Sequence, residues 1–455
     1  MIAHKLLVFG AGGAGKKFME TYQDNVVCLA DNDPQKQGKT LAGKEIIAPS
    51  QIQSQEFDAI VIASEFENEI RKQLIELGYG PKIAAIKRRF VSAFRDDIEE
   101  LIFTQDGDKN DPVLQTMHLN LTSACNIQCR TCRPEHFKYK ATYLDRETIE
   151  NIVHDVFDKI THLRLDSSGE LTLSPHLEYV LEEATKRNIS IFISTNGTKI
   201  DEKLADLIVR SSVEYMQVSL DSPDEATNEW IRKGAKHKDI LRGVDLLVKA
   251  KKKYNKHYPE IHFHGAILQQ NVHQLIDMVQ LAKDKEIDGV TFAYGFIHSY
   301  MNLDWSVYFE RELCNEKLTE AEAYAKKLGL FFNAPPRFLI DSDKKPKEKY
   351  CQYLFNWTYV DPSGKIFPCC TGAGEYVVGD ATTEKLSDIW MNDRYQKLRE
   401  TYNTDSPEWD KCSRCYMLTG WDADDYRVHF DPNHWQEVKA RLGMALPENL
   451  ICRSG

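Results

Sequence analysis

"LTSACNIQCRTCRPEH", residues Leu121–His136, places Cys125, Cys129 and Cys132 within eight residues. A structural zinc ion or a ferredoxin-type cluster takes four protein ligands, so three thiols in a C-x3-C-x2-C spacing form an incomplete set. The spacing is not accidental. Cysteine makes up 11 of 455 residues, and a triplet at these intervals arises by chance in roughly 0.6% of such chains. An isolated C-x-x-C such as Cys412–Cys415 arises in about one chain in four, and it gains meaning only from what accompanies it. The odd total of 11 cysteines disfavours a complete disulfide framework. The N-terminus reads as a strand running into glycines and not as a signal peptide. A cytoplasmic chain with reduced thiols is therefore expected.

Outward from the triplet the pattern is α/β. Buried-type strands are expected at Gln115–Thr122, His162–Ser168, Ile189–Asn196, Tyr215–Asp221, Ile261–Leu268 and Gly289–Gly295, with amphipathic helical stretches such as His176–Asn188 between them. Strands alternating with helices predict a parallel sheet, curled or closed. A shorter series precedes it, with strands at Lys5–Gly12, Val26–Asn32 and Asp58–Ser64. A connecting helix and the polar stretch Phe103–Val113 then lead into the main series. From about residue 336 aromatics, glycine and cysteines replace the alternation, with a hairpin expected around Pro362–Gly364. The expected domains are 1–100, a linker at 101–113, a main barrel at 114–335, a small cysteine-bearing domain at 336–428 and a helical tail at 429–455. The net charge of −11 argues against a nucleic-acid surface. The run "KAKKKYNKHY" from Lys249 reads as a solvated helix end, and no apolar run approaches the ~18 residues of a membrane span.

Ligands of parallel α/β sheets bind beyond the C-terminal ends of the strands. The unusual polar residues fall there: the cysteine triplet after the first strand, Ser167–Glu170 after the second, Ser194–Thr198 after the third and Ser219–Ser222 after the fourth. Three thiolates that hold three irons of a [4Fe–4S] cluster leave the fourth iron open. This arrangement resembles the radical S-adenosylmethionine superfamily over Gln115–Asn333. The resemblance implies a partial (β/α)6 TIM-like barrel, with Cys125, Cys129 and Cys132 as cluster ligands and S-adenosylmethionine as the fourth. It also implies that Ser168, Gly169 and Glu170 receive the cosubstrate's ammonium, and that Ser219 and Arg232 bind its ribose and carboxylate, with Asn196 nearby. Thr131 stands where the family usually has an aromatic residue beside adenine, so a backbone contact is expected there.

Cys351, Gly364, Cys369 and the Cys412–Cys415 pair resemble the C-terminal extension called SPASM, or its short form, twitch. Trp421 stands where the full form continues with further cysteines, so the short form fits better. The resemblance implies an auxiliary [4Fe–4S] cluster on Cys351, Cys369, Cys412 and Cys415. Cys370 is an alternative to Cys369, and a structural zinc on the same thiolates is the competing reading. Cys28, Cys314 and Cys452 are expected as packing or surface thiols.

At the N-terminus, Gly10, Gly12 and Gly15 form a G-x-G-x-x-G turn into a helix, and Asp31 ends the next strand. Such a turn cradles a diphosphate, and such an acid meets a ribose. The Rossmann-like unit resembles the small domain of sugar-nucleotide acetyltransferases and polysaccharide epimerases; an empty docking module is the alternative. The whole predicts reductive cleavage of S-adenosylmethionine to a 5′-deoxyadenosyl radical, fed by a flavodoxin- or ferredoxin-type donor. The expected substrate is a sugar or nucleotide-sugar, and the alternative is a peptide or protein. A non-catalytic scaffold is disfavoured, because all seven ligand cysteines are present.

Overall fold

The computed structural model describes residues 4–64, 67–89, 98–103, 112, 114–132, 140–166, 168–339, 351, 353–369, 375–415, 424, 429–431 and 435–441. Ser167, Cys370, Cys452, most of the expected linker and most of the C-terminal tail lie outside these residues. The chain divides into two compact units, Met1–Val113 and Leu114–Gly455.

In the first unit, β1 (Leu6–Phe9), β2 (Val26–Ala30), β3 (Thr40–Leu41), β4 (Lys44–Ile47) and β5 (Ala59–Ile62) form one sheet in the order β3-β4-β2-β1-β5. The last four are mutually parallel, and β3 runs antiparallel to β4. Leu6 and Val8 pack into one apolar cluster and Leu7 and Phe9 into another. That parity is what an apolar strand covered on both faces produces. Where a connecting helix was expected, the described residues hold strands: β6 (Ala84–Arg89) pairs antiparallel with β7 (Ile98–Phe103), and residues 90–97 lie outside the described residues. The stretch "IEELIF" is rich in β-prone residues and too short for a stable helix.

The second unit holds one ten-stranded sheet. Its strands are β8 (Thr116–Leu119), β9 (His162–Leu165), β10 (Ser190–Thr195), β11 (Val213–Ser219), β12 (Glu260–Ile267), β13 (Gly289–Tyr294), β14 (Phe331–Asn333), β15 (Trp357–Val360), β16 (Lys365–Phe367) and β17 (Gly379–Asp380). The order is β14 down to β8, then β15-β16-β17. Every pair from β14 to β15 is parallel. All six expected strands of the main series are present, and β14 is an addition. The expected hairpin joins β15 to β16 across Asp361–Gly364. It is not set apart from the main sheet, because β15 continues that sheet alongside β8.

Side-chain alternation divides the labour of these strands. Leu163, Leu165, Ile191, Ile193, Met216, Val218, Ile261 and Phe263 are at most 1% exposed. They share one core with the helical residues Ile149, Val153, Val180, Ile208 and Val244. Each fully buried aliphatic side chain contributes about 1.5–3 kcal/mol. The intervening Arg164, Phe192, Tyr215, Gln217, His262 and His264 lie on the other face, in register with one another. Acidic N-caps start the connecting helices cleanly: Asp145 accepts from Thr148 N and Asp201 from Leu204 N.

Candidate active site

Beyond the C-terminal ends of β8 to β11 lies a cavity of about 370 Å³. Cys125, Cys129 and Cys132 line it together with Ser168, Gly169, Glu170, Asn196, Ser219 and Arg232. Residues from four strand ends thus meet in one place. Thr131 is not among the lining residues.

The loop that carries the cysteines is held on two sides. On one, Gly169 N donates to Thr122 O at 3.2 Å and Glu170 N to Ala124 O at 2.6 Å. A Cβ on Gly169 would stand 2.1 Å from Ala124 O, so no other residue fits there. On the other side, Gln128 N donates to Lys233 O and Arg130 N to Ile231 O. This lacing sets Arg232 beside Cys129, with Nη1 4.0 Å from Sγ.

Glu170 is 2% exposed and its carboxylate is heavily used. Oε1 accepts from Thr172 N, Thr172 Oγ1 and Thr195 Oγ1, and Oε2 accepts from Asn196 N at 2.7 Å. The carboxylate therefore ties the end of β9 to the end of β10 before it meets any ligand. Asn196 continues the tie: its amide donates to Asn126 Oδ1, between the cysteines, and Asn126 donates to Thr198 Oγ1. Arg232 pairs with the fully buried Asp221, Nε to Oδ2 at 2.8 Å. One edge of its guanidinium is thus engaged. The Ser168 hydroxyl accepts from Asn120 Nδ2, which also donates to Tyr359 on β15. Asp166, just before this turn, meets His118 Nε2 at 2.8 Å and Arg164 at 2.9 Å. Burial pushes its carboxyl up, but these two partners outweigh it and hold it well below the usual range.

Asn120, Asn126, Thr172 and Tyr359 were not anticipated as parts of the site, and Thr195 and Asp221 were marked only by the strand-end stretches that contain them. Asn126 and Thr172 had a signal, since each stands within two residues of an expected site residue. Tyr359 had none.

The three thiols fit an iron–sulfur group: they line one cavity, and burial pushes Cys129 up to about 11 while Arg232 opposes it. A cation beside Cys129 favours the thiolate that iron requires. Cys351, Cys369, Cys412 and Cys415 form a second group. Burial pushes Cys351 and Cys412 up to about 12, and the thiols of Cys369 and Cys415 push both further in the same direction. Among the described residues no three Cys, His, Asp or Glu side chains stand close enough to share a single metal ion. Cys314 is buried in the main core and Cys28 in the first unit.

The N-terminal turn departs from expectation. Asp31 Oδ2 accepts from Ala11 N at 2.8 Å and from Lys36 Nζ at 3.1 Å, and Oδ1 accepts from Asp33 N. Both carboxylate oxygens are engaged in fixing the turn. Gly10 has φ of 115°, and a Cβ on Gly15 would stand 2.0 Å from Gly10 O, so both glycines serve the close strand–helix approach. Of Gly10, Gly12 and Gly15, Gly12 alone faces open space.

Residues 119–282 match the radical SAM superfamily, residues 351–416 the iron–sulfur cluster-binding domain SPASM, and residues 2–83 the domain described as C2185-like, N-terminal. The last match takes the place of the expected likeness to sugar-nucleotide acetyltransferases. Among curated relatives, a tungsten-containing aldehyde ferredoxin oxidoreductase cofactor-modifying protein of Pyrococcus furiosus is 22% identical, over 71% of this chain and 92% of its own. A PqqA peptide cyclase of Granulibacter bethesdensis is 24% identical, over 74% and 93%. Among solved structures, SuiB of Streptococcus suis bound to the precursor peptide SuiA superposes with a TM-score of 0.50 at 16% identity, over 68% of this chain and 71% of that one, a likeness of fold. No helix among the described residues is long and apolar enough to cross a membrane. The chain is an enzyme with a radical SAM domain, which uses a [4Fe–4S] cluster with S-adenosylmethionine, and a SPASM domain that binds a further iron–sulfur cluster.

Proposed function

We propose that the chain modifies a peptide or protein, and that the cavity at the ends of β8 to β11 is where S-adenosylmethionine is held and cleaved. When bound, the cluster and cosubstrate supply a 5′-deoxyadenosyl radical that removes hydrogen from an unactivated C–H bond. In this reading Cys125, Cys129 and Cys132 hold three irons, and the cosubstrate's amino acid end occupies the fourth. Glu170 Oε2, which carries one protein donor, receives the ammonium, and the free edge of Arg232 receives the carboxylate. Ser219 and Asn196 border the nucleoside. Cys351, Cys369, Cys412 and Cys415 hold the auxiliary cluster. An external one-electron donor of flavodoxin or ferredoxin type supplies reduction. The strand order supports a partial (β/α)6 barrel for the main unit and a Rossmann-like sheet for the first.

One observation carries the site: residues from four strand ends converge on the cysteine triplet. For the substrate, the relative named as a peptide cyclase aligns over 93% of its length, whereas the sugar reading leaned on an Asp31 that is already engaged. The test is anaerobic turnover of the reconstituted chain with peptide and nucleotide-sugar panels, read as 5′-deoxyadenosine release. A peptide that stimulates release and changes mass is expected. Stimulation by a nucleotide-sugar, with every peptide inert, returns the reading to carbohydrate.

A further inference from the structure

Arg399 is the largest fully buried side chain among the described residues, at 0% exposure. It sits in the helix Asp393–Thr401 and donates from Nε to Leu354 O at 2.8 Å. Its Nη1 and Nη2 have no hydrogen-bond partner, and among the described residues no carboxylate pairs with it. The rings of Trp390 and Tyr395 box it at 4.3 and 4.7 Å. Burial lowers its pKa to about 10, still far above neutrality, so it remains a cation. Ring faces offset part of the cost of burying a charge. A buried ion without a counter-ion is nevertheless among the costliest arrangements a protein makes.

The missing anion is indicated by what surrounds the guanidinium. Leu354, whose C=O accepts from Arg399, stands three residues from Cys351. Leu398 packs with Leu354 in the apolar cluster that touches Cys351, Cys412 and Cys415. A cluster held by four thiolates carries net negative charge in its oxidised and reduced states alike, and nearby charge is one of the levers on its potential.

We propose that Arg399 is the buried counter-charge of the auxiliary cluster, linked to Cys351 through Leu354, and that it raises the cluster's potential by favouring the more negative reduced state. The reduction adds one electron to the core, with no ligand bond formed or broken. The inference rests on the reading of Cys351, Cys369, Cys412 and Cys415 as ligands, and the test separates the two. In the full chain carrying Cys129→Ala, so that only the auxiliary site responds, iron content and the potential are measured by dithionite titration with EPR detection. Arg399→Met should keep its iron and disfavour reduction at least tenfold, a shift of 59 mV downward for a one-electron couple. Arg399→Lys should stay near the parent. An unmoved potential in an iron-loaded Arg399→Met overturns the proposal. Should Arg399→Met and Arg399→Gln both fail to load iron, Arg399→Lys decides: loading by the lysine variant alone supports the counter-charge, and its failure overturns it. Iron content unchanged by Cys412→Ala with Cys415→Ala sinks the ligand reading, and the counter-charge with it.

Discussion

The Glu170 carboxylate holds two strand ends together and is proposed to receive the cosubstrate's ammonium, and two substitutions tell these roles apart. Glu170→Gln keeps an acceptor oxygen but removes the charge, so affinity for S-adenosylmethionine should fall about tenfold or more with iron content unchanged. Glu170→Ala also removes four hydrogen bonds, two within the turn after β9 and two that tie it to the end of β10, so it should also lower the unfolding midpoint of the iron-free protein in urea. Equal affinities in wild type and Glu170→Gln would remove the carboxylate from cosubstrate binding. Asp166 carries a pH dependence. Its folded-state pKa is held below the unfolded value by His118 and Arg164 against burial. The stabilisation is therefore complete above about pH 4 and is lost as pH falls through the lower, folded value. Urea unfolding of the iron-free chain between neutrality and pH 3 should show this acid-side loss, reduced in Asp166→Asn. At this scale the triplet and Glu170 were legible because spacing and residue type carry them. Tyr359 was not: it meets Asn120 across 239 residues, and no local pattern encodes such a contact.

The loop bearing the triplet owes its shape to other elements more than to its own sequence. It is clasped between the Gly169–Glu170 turn and the segment 231–233. Gly169→Ala should push Ala124, and Cys125 with it, out of place. About four of some eight irons per reconstituted chain should be lost, with the auxiliary site still loaded. Full loading with normal cosubstrate cleavage in Gly169→Ala would mean that the two backbones can part at little cost. The central strands were legible as apolar runs bounded by turn residues. The strand Ile98–Phe103 was not among the expected strands, because Glu99, Glu100 and Leu101 favour helix and six residues offer too few periods to separate the two. The seat of β15 beside β8 was illegible for another reason: a hairpin's own sequence sets its turn and register but not which sheet it joins.

All the cavity residues belong to Leu114–Gly455, and the first unit has its own sheet and cores. Residues 114–455 alone should therefore load about eight irons and cleave S-adenosylmethionine slowly without substrate. Loss of that basal cleavage would give the first unit a part in the chemistry. The parallel pairing of β15 with β8 bears on how such a chain is made. During synthesis Asn120 leaves the ribosome 239 residues ahead of Tyr359, an interval of roughly 10–50 seconds at ordinary elongation rates. Throughout it, one flank of β8 shows its amide and carbonyl groups to every other nascent chain, the kind of exposed rim that invites aggregation. A polypeptide stalled before Cys351 would keep that rim open for good. The cysteine-bearing C-terminal region thus also seals the main sheet against its neighbours in a crowded cell.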